Sequence, residues 1–81
     1  MTTTVLAPTR ESFPAVPAGL TITPVAPALW RVSRAGGAVL GHIERRGGSG
    51  PYAARRLVRG GIRSMELGEF WSPSDAADCF R

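Results

Sequence analysis

The chain has no lysine, so all ten of its basic residues are arginine, and it has a single histidine, His42, and a single cysteine, Cys79. One cysteine excludes an internal disulfide, and one histidine with one cysteine is too small a ligand set for a structural zinc site. No thiol and no second ligand candidate accompanies His42, which leaves acid–base and metal chemistry without a constellation. An enzyme is therefore not expected, no catalytic residue is assigned, and no cofactor or metal is implied. Long apolar runs are missing too, which excludes a membrane-spanning helix from the expectations. The opening Met1-Thr2-Thr3-Thr4-Val5-Leu6-Ala7-Pro8 lacks a basic n-region, and threonine and proline interrupt its apolar residues. The expected compartment is the cytoplasm, with no membrane partner.

Acids are scarce where arginines are dense. Leu29 to Met65 holds eight arginines against one acid, Glu44, whereas Glu66 to Asp78 holds four acids and no base. If the arginines lie on strands and the acids flank a helix, folding turns this asymmetry into two faces of opposite sign. Missing lysine beside abundant alanine, glycine and proline reads as the mark of a GC-rich coding genome. Arginine still matters physically, because its planar fork grips phosphate or guanine with two bonds where lysine offers a point charge.

A length of 81 residues allows one domain, and five of the seven prolines fall in the first 28 residues. The folded part is then about fifty residues, and a core that small supports roughly 3–5 kcal/mol of net stability. With no disulfide or metal to add to it, a partner or a second copy is the expected help.

The organisation reads as residues 1–28, a proline-rich and disordered arm, followed by residues 29–81, a small sheet-and-helix domain. Proline removes donors and biases the preceding residue to extended backbone, although Leu20-Thr21-Ile22-Thr23 alternates and suits an added edge strand. Leu29 to Arg34 alternates with Trp30 and Val32 on one face, and Ala35-Gly36-Gly37-Ala38 suits a hairpin. Val39 to Arg45 returns, with Gly41 offering bare backbone on which Trp30 is expected to lie. Pro51 to Val58 reads as a third strand of open register, for which a bulge or twist admitting both Ala54 and Leu57 to the core is the favoured arrangement. Met65 to Phe70 suits a weak edge strand.

The sharpest local signal is Ser72-Pro73-Ser74-Asp75: a capping hydroxyl, proline at the first helical position, and an acid three residues after the cap. Trp71 and Ala76 have the spacing of a hydrophobic staple. A helix of about nine residues to Arg81 is too short to stand alone, so Ala76, Ala77 and Phe80 are expected to dock on the sheet. The fold class is α+β: a three- to four-stranded antiparallel meander with one short C-terminal helix packed on one face.

Candidate residues follow from this frame. Cys79 reads as a small hydrophobe, and the paired glycines read as turns. Trp30, Phe70 and Trp71 are expected in the core, with Tyr52 left open as a stacking platform. Arg31, Arg45, Arg46, Arg55, Arg56 and Arg59 are the candidate nucleic-acid contacts, because arginines along a β-ribbon can position it on a duplex through phosphates. The expected function is a non-enzymatic nucleic-acid-binding module, DNA before RNA. The alternative is a protein-interaction, adaptor or homodimer module in which one copy's basic sheet meets another's acidic helix edge.

Gly68-Glu69-Phe70, with Ser72 and Asp75-Ala76 after it, resembles the signature that ends the arm-type DNA-binding domains of phage tyrosine integrases. The resemblance implies a three-stranded sheet that packs one face on a C-terminal helix and lays the other in the major groove. The Trp-Arg-Val, Leu-Gly-His-Ile and Gly-Glu-Phe-Trp-Ser blocks at Trp30, Leu40 and Gly68 are also similar to those of small uncharacterised proteins of GC-rich Gram-positive bacteria. Pro73 at the first helical position and the proline-rich arm have no counterpart in the integrase pattern.

Overall fold

Alternation of apolar and polar side chains builds the sheet strand by strand in the computed structural model, which describes residues 11–58 and 62–81. Among the described residues, strand β1 is Leu20–Ala26, β2 Leu29–Arg34, β3 Val39–Arg45, β4 Tyr52–Val58 and β5 Arg63–Phe70, and a single helix, α1, spans Pro73–Asp78. The five strands form one antiparallel sheet in sequence order. The expected meander and helix are present, with five strands in place of three or four. The additional strand is β1, which pairs with β2 from Leu20 opposite Arg34 to Ala26 opposite Leu29.

The boundary expected near Ala28 separates nothing among the described residues. Phe13, only 4% exposed, stands edge-on to Trp30 with ring centroids 5.2 Å apart and to Tyr52 at 5.8 Å. Trp30 Nε1 donates to the carbonyl oxygen of Glu11 at 2.7 Å. Prolines exclude this segment from helix, yet they leave an extended chain that can lie across a sheet and plug one aromatic ring into it. The first ten residues lie outside the described part.

Directly opposed residues share a sheet face, so the register sorts every side chain. Ile22, Val32, Gly41 and Arg56 form one row on the covered face, and Trp30, Ile43, Ala54 and Gly68 the next. Trp30, Val32 and Ile43 are fully buried there, beneath Phe13 on one side and Ala76, Ala77 and Phe80 on the other. Phe80, rather than Trp30, occupies the bare backbone at Gly41: a Cβ built there would stand 2.8 Å from its ring. The bulge expected in the third strand lies in its partner instead. Ala54 opposes Gly68 and Arg55 opposes Glu66, so Leu67 is the extra residue of β5, and Gly68 takes the positive φ of +134° that only glycine adopts freely. Strand β4 therefore alternates without interruption, and Leu57 points to the face opposite Ala54.

Ser72 caps α1 as expected, its hydroxyl accepting from the Asp75 N–H at 3.4 Å, with Pro73 at the first helical position. The helix proper ends at Asp78, shorter than the nine residues expected, because Cys79 and Phe80 close it with a tighter turn. Trp71 is 78% exposed, so the staple it was expected to form buries little of it. No helix of the described residues is long and apolar enough to cross a membrane.

Candidate nucleic-acid interface

The face that neither α1 nor the Glu11–Ala15 segment covers carries one continuous row across all five strands: Thr23, Arg31, His42, Arg55 and Glu66, each directly opposite the next. Beside it runs a second row, Leu29, Glu44, Ala53 and Glu69. Ala53 is 2% exposed between its two acidic neighbours. Arg55 pairs with Glu44 at 3.5 Å, and Arg46 pairs with Glu69 at 3.2 Å.

Of the six arginines expected to touch nucleic acid, three share this open face: Arg31, Arg46 and Arg55. Arg45 and Arg56 do not. Strand alternation turns Arg45 to the covered side, where it bonds the Glu11 carboxylate and lays its guanidinium 5.6 Å from the centre of the Trp30 ring. That setting is cation–π and ion-pair packing, not a phosphate contact. The Glu11 bond, joined by Tyr52, pushes the Arg45 pKa up and outweighs the burial that opposes it. The Glu11 carboxyl is held below its ordinary range, chiefly by the same hydrogen bond. Arg56 lies beside Gly41 on the covered face. Arg59 falls outside the described residues. Tyr52, open as a stacking platform from sequence, is half-buried in the cluster with Phe13 and Trp30.

Two faces of opposite sign do not form. Glu44, Glu66 and Glu69 share the open face with Arg31, Arg46 and Arg55, because β5 carries its acids back beside the arginines of β4. Charge separates along the strands instead. The end at which β3 joins β4 gathers Glu11, Glu44 and Glu69 around Arg45, Arg46 and Arg55. At the opposite end, where β2 turns into β3, Arg34 closes β2, Arg63 opens β5 and Arg56 lies in β4 between them. With Arg31 they make no ion pair among the described residues. Strand spacing of about 4.8 Å and a rise of about 3.4 Å per residue spread these backbone positions over roughly 8–18 Å. Arg34, Arg56 and Arg63 share the covered face's parity, while Arg31 and Arg55 lie in the middle row of the open face. Arg34 and Arg63 were not among the expected contacts. Their sequence signal was their place at the first and last positions flanking turns.

His42 occupies the centre of the open row. Burial holds its pKa below the ordinary imidazole value, and Arg31 and Arg55 on either side push it further down. Cys79 is half-buried, and its thiol donates weakly to the Asp75 carbonyl at 3.6 Å. Burial, with Asp78 and Asp75 adding to it, raises its pKa, the setting of an unreactive thiol. No family model, curated protein or solved structure matches the chain. The reading of this surface therefore rests on its own geometry.

Proposed function

We propose that the chain is a non-enzymatic nucleic-acid-binding module, with duplex DNA as the first ligand, whose contacts are phosphate contacts from the arginine-bearing end of the sheet. The observation that carries this reading is that Arg34, Arg56 and Arg63 lie toward that end, with Arg31 in the adjoining middle row, and none of the four pairs with a carboxylate among the described residues. Cations gathered on one part of a surface without counter-charges raise the local positive potential, which draws polyanions. Arginines on both faces of the sheet suit a groove whose two walls both carry phosphates, and a major groove about 12 Å wide admits a β-ribbon. Arg46 and Arg55 are poised to exchange Glu69 and Glu44 for phosphate. Exposed pairs of this kind contribute little to stability, so giving them up costs little.

The test is a salt series of binding to labelled duplex DNA, single-stranded DNA and RNA, beside an acidic protein as control. About four phosphate contacts give a slope of about −3.6 in the logarithm of affinity against the logarithm of salt. A flat response, or equal binding to the acidic protein, overturns the reading.

A second reading, a protein-interaction or homodimer module, is favoured by a different observation. Ile62, Met65 and Trp71 are 83%, 49% and 78% exposed along or beside the edge strand β5. Sedimentation at two salt concentrations distinguishes it, and a monomer in both counts against a homodimer.

A further inference from the structure

The centre of the open face holds three nitrogen-rich side chains on three neighbouring strands. Arg31 of β2 is directly opposite His42 of β3, which is directly opposite Arg55 of β4. Such neighbours have Cβ atoms about 5 Å apart. The groups facing His42 are few. Glu44, two residues along the same strand and on the same face, is engaged by Arg55 at 3.5 Å. Glu66 lies one strand further out, opposite Arg55, and Thr23 closes the row beyond Arg31. No carboxylate among the described residues pairs with His42.

We propose that Arg31, His42 and Arg55 form one phosphate seat, and that filling it protonates His42, so nucleic-acid affinity rises as pH falls. This deepens the nucleic-acid reading and rests on it. In the free protein the imidazole is a poor base because burial disfavours its charge and two guanidinium groups flank it. A phosphate in the row reverses the sign of the local field. The imidazole then takes a proton from solvent and donates an N–H to the phosphate oxygen, a charge-assisted bond added to those of the two arginines. Linkage is reciprocal: whatever raises the proton affinity of His42 on binding makes binding tighter at lower pH by the same factor. One proton gives at most about a tenfold gain in affinity per pH unit.

The experiment follows the His42 imidazole of the full chain by NMR across pH, alone and with a mixed-sequence DNA duplex, and measures duplex affinity across the same range for the parent and His42→Gln. The expected result is a His42 pKa raised by the duplex, affinity that climbs as pH falls, and a pH response lost in His42→Gln. Duplex binding with an unmoved imidazole pKa, and equal pH dependence in parent and variant, overturns the phosphate seat and leaves the nucleic-acid reading standing. No duplex binding at any pH at which the free chain keeps its folded spectrum overturns both. Inorganic phosphate run alongside separates the sources of the anion. A shift with duplex at far lower concentration supports the seat as a nucleic-acid contact, and a shift with inorganic phosphate alone overturns that assignment. Because the imidazole is read in the parent chain, the outcome does not depend on His42→Gln folding.

Discussion

Glu11 and Arg45 form an ion pair across 34 residues of sequence, and the same Glu11 accepts the Trp30 indole N–H through its carbonyl. These two bonds set the extended N-terminal segment on the sheet, and Phe13, two residues on, fills the space above Trp30 and Tyr52. The segment thus completes the core of a small sheet that a six-residue helix is too short to cover.

Phe13→Ala is expected to destabilise the protein by about 3–5 kcal/mol, the range for emptying a buried aromatic site. In a domain with so small a core that is enough to unfold most molecules. Urea denaturation followed by Trp30 fluorescence checks it; a variant as stable as the parent would mean that the segment is not part of the core.

Gly41→Ala is expected to cost about 3 kcal/mol, the upper end of overpacking. The added Cβ would meet the Arg55 carbonyl oxygen and the Arg56 Cα as well as the Phe80 ring at 2.8 Å, and backbone cannot swing aside as a flexible side chain does. Loss of Phe80 docking should appear first as a lower thermal midpoint. A normal midpoint would place Phe80 elsewhere.

Ala28→Gly should stabilise the chain by about 1 kcal/mol, the scale of the left-handed penalty for a residue with a Cβ. Ala28 holds a φ of 59° in the turn between β1 and β2, after Pro27, and its carbonyl accepts from the Arg45 N–H at 2.9 Å, so the turn cannot relax. The greater unfolded-state entropy of glycine trims the gain. A denaturation midpoint that does not rise would remove strain at Ala28 as a feature of the fold.

What the sequence made legible is local. Alternation at Trp30 and Val32 and the Ser72-Pro73 cap depend on residues a few positions apart, and both hold in the structure. What it hid depends on pairing between distant strands. Arg45 and Arg46 differ by one position and therefore point to opposite faces, as do Arg55 and Arg56, and only the register says which of each pair is covered. The spare residue at Leu67 shifts β5 so that Glu66 faces Arg55 and Glu69 faces the neighbourhood of Arg46, which mixes charges that are separate along the chain. Phe13 was hidden because a lone aromatic among prolines has no periodicity to announce where it docks.

Removing one arginine should separate phosphate contact from packing. Arg63→Ala and Arg34→Ala are expected to leave the denaturation midpoint within about 0.5 kcal/mol of the parent, as for exposed surface changes. Each should also reduce the magnitude of the salt slope of duplex binding by about 0.9. Arg45→Ala is expected to do the reverse, lowering stability through loss of the Glu11 pair and the Trp30 contact while the slope stays unchanged. Equal effects of all three on the slope would mean that the arginines act only through net charge, and the end of the sheet would lose its special place.

His42 also predicts how the free protein responds to pH. Its pKa is depressed in the folded state by burial and by Arg31 and Arg55, so the unfolded chain binds the proton more readily. Stability therefore falls as pH drops through the ordinary imidazole range, and the loss is complete once pH is below the folded pKa. Glu11 acts in a lower window. Its depressed carboxyl contributes stability above the ordinary carboxylate range, and this is lost as pH falls through the folded value. Denaturation midpoints from neutral to acid pH should show two separate declines. His42→Gln is expected to abolish the upper one and leave the lower, and Glu11→Gln to do the opposite. A single decline unchanged by His42→Gln would mean that the imidazole titrates alike in both states and that the two arginines do not bear on it.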